Sequence, residues 1–157
     1  MLKQLNRLAL DADGRYATAS ELAFLKDYLA TIEPRISAYQ KIREEGEIMA
    51  DKIQARQKAQ NVNCFTFNNQ DQSSICRRDL VNAIRLSATA VLFGELDLLR
   101  DNFLLWYRTI VKAFNYENMA RSTYGKILPE LMKALLDPAE NKVTQPVLQL
   151  NASILSD

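Results

Sequence analysis

Only four glycines and four prolines interrupt a chain of 157 residues, and between these breaks apolar side chains recur at intervals of three and four. A half-buried strand needs alternation at every second residue, so this periodicity points to helices. The expected fold class is all-α. One hydrophobic core suffices at this length, and residues 1–157 read as a single domain that buries about two-thirds of its unfolded surface.

Charge and composition exclude several classes of function. Twenty basic residues against nineteen acidic ones leave a net charge of +1. Such a balance gives no bulk field for nucleic acid or an anionic bilayer. The opening run MLKQLNRLALDADGRY has no long apolar segment, and nothing later approaches the roughly 20 apolar residues of a membrane span. The expected location is the cytoplasm. Histidine is absent from the sequence, which removes the commonest general base and most zinc geometries. With no phosphate-binding glycine loop and no nucleophile beside a base, catalysis is not expected.

The breaks divide the chain into helical segments. Leu2, Leu5, Leu8 and Ala9 form one stripe, ended by the turn residues Asp11-Ala12-Asp13-Gly14. Thr18-Ala19-Ser20-Glu21 has the form of a capping box, which predicts a helix over residues 19–31. Pro34 suits the first turn of a third helix reaching Lys58, with Ile36, Tyr39, Ile42, Met49 and Ile53 as its buried stripe and Gly46 as its weak point. Residues 60–74 are polar and non-periodic, the pattern of a surface loop. Ser73 or Ser74 is the expected cap of the next helix, which Gly94 stops. Two more amphipathic helices follow, one lined by Leu96, Leu99, Phe103, Trp106, Ile110 and Phe114. The other carries Tyr124, Ile127, Leu128, Leu131 and Leu135, with a kink expected at Pro129. Asp137-Pro138 marks a break, and a last short helix is expected over residues 146–155.

Cys76-Arg77-Arg78-Asp79, at the opening of a helix, is the most chemically pointed cluster. A helix turns about 100° per residue, so Cys76, Asp79 and Leu80 share a face and the thiol and carboxylate can meet one ligand. An alternative reading makes Cys76 a small buried apolar residue and its neighbours a solvated helix start. The other candidates read as structural. Cys64, between Asn63 and Phe65, reads as inert loop packing, and no disulfide with Cys76 is expected. Glu44, Glu45 and Glu47 face no partner carboxylate, and Trp106-Tyr107 continues a core stripe.

In register, several fragments resemble the phycobiliproteins of light-harvesting antennae, and allophycocyanin subunits most of all. Asp11-Ala12-Asp13-Gly14-Arg15-Tyr16, Glu21-Leu22, Tyr28-Leu29 and Arg35-Ile36 are similar to that family's N-terminal pattern. Cys76, Arg78, Asp79 and Leu80 are similar to its Cys-x-Arg-Asp chromophore motif, followed by Ile84-Arg85-Leu86 and Gly94-Glu95. The resemblance implies a globin-like helical bundle with two additional N-terminal helices. It also implies a linear tetrapyrrole of the phycocyanobilin type, joined by a thioether to Cys76. Asp79 would accept hydrogen bonds from the inner pyrrole nitrogens, and Arg77 and Arg78 would reach the propionates. A related subunit would pair through the N-terminal helices at Asp11 and Arg85, a linker protein would be a further partner, and the thylakoid surface the place of assembly. A pigment-free assembly, docking or regulatory protein of the same fold is the rival reading. The chain departs from the family at Asn82, Ala83, Trp106 and Val111, and in the polar run 68–72.

Overall fold

The computed structural model describes residues 1–156. Helices carry the fold, and the only strand pairing among the described residues is a hairpin of β1 (Thr66–Phe67) and β2 (Gln70–Asp71). Asn68 and Asn69 make its two-residue turn at φ of 48° and 62°. Left-handed backbone at both central positions suits the twist of a hairpin, and Asn is the non-glycine residue that tolerates it best. The expected plain loop is therefore ordered between two long helices.

Helices α1 (Leu2–Asp11) and α2 (Ala23–Ala30) contain no buried residue. The capping box forms, with the Thr18 amide donating to Glu21 Oε2 at 2.8 Å and the Glu21 amide to Thr18 Oγ1 at 3.3 Å. It closes a turn instead of opening a helix at residue 19. Glu21 also accepts from Arg15 Nη2 at 2.7 Å, which ties residues 15–21 into a compact link and delays the helix to Ala23.

The next helix, α3 (Ile32–Gln60), starts before Pro34 because a first-turn residue needs no amide donor. Its buried stripe is Ala38, Ile42, Gly46, Met49, Ala50, Ile53 and Gln57, while Ile36 faces outward. Gly46 is a packing position, since a Cβ there would touch Ile84 Cγ2 of the adjoining helix at 3.5 Å. That helix, α4 (Ser73–Phe93), ends at Gly94, whose φ is 64°. Neither serine caps it. Asp71 instead accepts from the Ser73 amide at 2.9 Å and the Ser73 hydroxyl at 2.8 Å. At the far end Tyr28 Oη donates to the Leu92 carbonyl at 2.8 Å and Arg35 Nη1 to the Val91 carbonyl at 2.6 Å. Two residues of the N-terminal pattern thus satisfy carbonyls that the end of α4 leaves open.

Two further rods each contain one π-helical turn. Helices α5 (Leu96–Leu99) and α6 (Leu105–Ala113) flank the turn Arg100–Leu104, and α7 (Glu117–Ser122) and α8 (Leu128–Leu135) flank Thr123–Ile127. Pro129 lacks an amide to donate up the helix, and it stands in the first turn of α8, directly after the second π turn. The last helix, α9 (Pro138–Leu155), begins well before Pro146, which lies inside it. Its start is fixed by Asp137, which accepts from the Ala139 and Glu140 amides while Glu140 accepts from the Asp137 amide at 2.8 Å. Glu140 is buried, and it also accepts from the Ser37 hydroxyl and, at 2.8 Å, from Lys41 Nζ. These bonds join α9 to α3. Ile42, Ile53, Ile84, Leu128 and Met132 fill the centre of a globin-like bundle that carries α1 and α2 as two additional N-terminal helices.

Candidate functional site

An apolar cleft opens between α3, the start of α4, and the two rods that carry the π turns. Its enclosed cavity measures about 90 Å³, and about 710 Å³ with the space open to solvent. Ile53 and Leu80 form one wall and Ile110, Val111 and Phe114 the other. Phe67 of the hairpin packs on Phe114 with ring centroids 4.6 Å apart, so β1 braces the rim.

The sequence cluster divides between this cleft and the surface. Cys76, Asp79 and Leu80 all line the cleft, as their helical spacing requires. Cys76 sits in the first turn of α4, its amide bonded to the Gln72 carbonyl at 2.9 Å. Burial, with help from the Asp79 charge, pushes its thiol up to about 11. Arg77 turns away, donating from Nε to Asp51 Oδ1 at 2.6 Å and from Nη2 to Glu47 Oε2 at 3.4 Å. This corrects its expected course toward the ligand, because α3 supplies two carboxylates on the other side. Glu47 is thereby paired as well. Arg78 is exposed and curls over its neighbour, donating from Nε and Nη2 to Asp79 Oδ1 at 3.0 and 2.9 Å.

Three tyrosines complete the cleft; the sequence pattern reads Tyr107 and Tyr124 as core stripe and gives Tyr116 no role. Tyr107 stacks on Phe103 at 5.1 Å and meets Tyr124 edge-on at 6.4 Å. The hydroxyls of Tyr116 and Tyr124 are buried without a hydrogen-bond partner. Burial, and after it the nearby Cys76 thiol, pushes the Tyr116 phenol up to about 12, and burial raises Tyr124 well above its ordinary value. Beside them Gln57 Nε2 donates to Thr123 Oγ1 at 2.9 Å and to the Met119 carbonyl at 3.2 Å. Aromatic residues on an amphipathic stripe read as core, so only the packed fold exposes their unpaired oxygens. Trp106 departs from the expected core stripe, being 57% exposed, while its neighbour Tyr107 is buried. Cys64 is half-buried and outside the cleft lining, and both cysteines are free thiols.

The residues expected at a subunit contact lie on the surface. Asp11 pairs with Arg7 at 3.4 Å, and Arg85 Nη2 donates to Asn82 Oδ1 at 2.9 Å, so the two do not bond each other within the chain. No helix among the described residues is long and apolar enough to cross a membrane.

No curated protein matches the chain. The model of the phycobilisome protein family matches residues 8–155, which takes in the end of α1, all of α2, the whole cleft and all of α9. Members of that family are non-enzymatic light-harvesting proteins that assemble with related subunits. With nearly its full length matched, this chain belongs to the phycobilisome protein family.

Proposed function

We propose that the chain is a single phycobiliprotein-like domain, allophycocyanin-like in type, that carries a linear tetrapyrrole on Cys76 and passes excitation energy within an antenna. The observation that carries this reading is a half-buried thiol in the lining of an apolar cleft, beside two phenol hydroxyls that lack partners. The residues fit such a pigment, since a flat, mostly apolar molecule with polar edges would find greasy walls, a carboxylate and free donors. The enclosed space is small, so the greater part of the molecule would lie in the open cleft.

The bound pigment would supply visible absorption and fluorescence. Cys76 would add through its sulfur to a carbon–carbon double bond of the pigment's end ring, with the thiol proton ending on the adjacent carbon. Asp79 would accept hydrogen bonds from ring nitrogens at the cleft edge, and Arg78 would screen that carboxylate. Arg77 remains free to reach a propionate only by releasing Asp51 and Glu47. The walls of α6 and α7 exclude water and hold the bound molecule rigid.

Association with a related subunit would use α1 and α2, which bury nothing of their own and expose Leu10 and Leu29. Asp11 and Arg85 are the charges proposed to meet the partner there, and a linker protein is a second proposed partner. The proposed location is the cytoplasm at the thylakoid surface. One observation favours the pigment-free assembly or regulatory role, namely that the enclosed cavity measures only about 90 Å³. The two readings separate on expression in a bilin-producing host. A visible band that survives denaturation supports the pigment-bearing reading, and a colourless protein from the same host overturns it.

A further inference from the structure

We propose that Tyr124 is a buried hydrogen-bond donor of the cleft, holding a terminal carbonyl oxygen of the ligand. This deepens the pigment reading and rests on it. Tyr124 is 3% exposed, and its hydroxyl has no partner among the described residues. A hydroxyl taken from water and left unpaired is costly, so natural folds rarely retain one without a use. Its position is set by three independent features. The π turn Thr123–Ile127 gives the helix an extra residue there, a device that often marks functional sites. Tyr107, clamped on Phe103, stands edge-on against the Tyr124 ring. Gln57 bonds the adjacent Thr123 and so pins that turn to α3.

Tyr124 lines the same cleft as Cys76 and Asp79, and burial first, then the neighbouring Tyr107, raises its pKa well above the ordinary value. The phenol therefore stays neutral and keeps its proton to donate. Among the atoms of a linear tetrapyrrole, a terminal lactam oxygen is the acceptor suited to such a site.

The test compares wild type with Tyr124→Phe, which removes only the oxygen, using biliverdin as the probe. In the pigment-free protein Tyr124→Phe is expected to raise the unfolding temperature by about 3–8 °C, because an unpaired buried hydroxyl is gone. In a biliverdin titration followed by absorbance the same variant is expected to bind about 3–10-fold more weakly. Equal affinity of the two proteins overturns the role of Tyr124 and leaves the pigment reading standing. A lower unfolding temperature in the pigment-free variant also overturns it, since the hydroxyl would then have a partner within the protein. No biliverdin binding by wild type overturns the pigment reading and this inference with it.

Discussion

The Cys76 thiol should be a slow nucleophile at neutral pH and a fast one only in strong alkali. Burial and the neighbouring Asp79 charge raise it from an ordinary 9.0 to about 11. At pH 8 a thiol of pKa 9 is about one-tenth thiolate and one of pKa 11 about one-thousandth, so attack slows roughly 100-fold. Iodoacetamide alkylation of a Cys64→Ala variant, followed by intact mass from pH 7 to 12, measures this directly. Occlusion of the thiol would lower the rate uniformly, whereas a raised pKa moves the midpoint of the profile. Asp79→Asn should shift that midpoint back toward 9. The same shift carries a sign for stability. The folded state favours the neutral thiol, so its contribution is complete below pH 9 and is lost as pH rises from 9 through 11. A wild-type alkylation midpoint at or below 9 would refute the burial argument.

Glu140→Gln should destabilise the fold by about 2–3 kcal/mol in urea titration, because a buried carboxylate there accepts charge-assisted bonds that an amide matches poorly. Burial alone would raise the pKa of Glu140, but Lys41, Ser37 and the Asp137 amide outweigh it and hold it below the ordinary value. Its contribution is therefore present above the ordinary carboxylate pKa and lost as pH falls through the lowered one, which Glu140→Gln should erase from the acid limb of a stability profile. Gly94→Ala should cost about 1–2 kcal/mol, measured by thermal melting, since the left-handed conformation strains any Cβ. Arg77→Ala should leave both the denaturant midpoint and pigment content unchanged, because its partners lie on the exposed flank of α3 and not in the cleft.

Much of the helical layout is legible in the apolar spacing and the few breakers, and Gly94 stops α4 where its lack of a Cβ suggests. Helix starts are harder to read, for physical reasons. Asp137-x-x-Glu140 carries a capping box that fixes α9, while Pro146 draws attention to a start that does not exist. Thr18 and Glu21 make their expected bonds, yet Arg15 diverts the box into a turn. Asn68-Asn69 specifies a hairpin only through two left-handed residues, a weaker signal than a glycine would give. In the site, the shared face of Cys76 and Asp79 follows from helical geometry alone. The direction of Arg77 does not, because Glu47 and Asp51 reach it from a helix remote in sequence. The unpaired phenols of Tyr116 and Tyr124 are visible only where three segments converge.

The central proposal is a pigment bonded to Cys76, and its most direct test is a denaturing gel of protein made in a bilin-producing host, read by bilin fluorescence. Wild type and Cys64→Ala should each show a fluorescent band at the mass of the chain, and Cys76→Ala should show protein without fluorescence. Fluorescence retained by Cys76→Ala, or absent from wild type, would contradict the account.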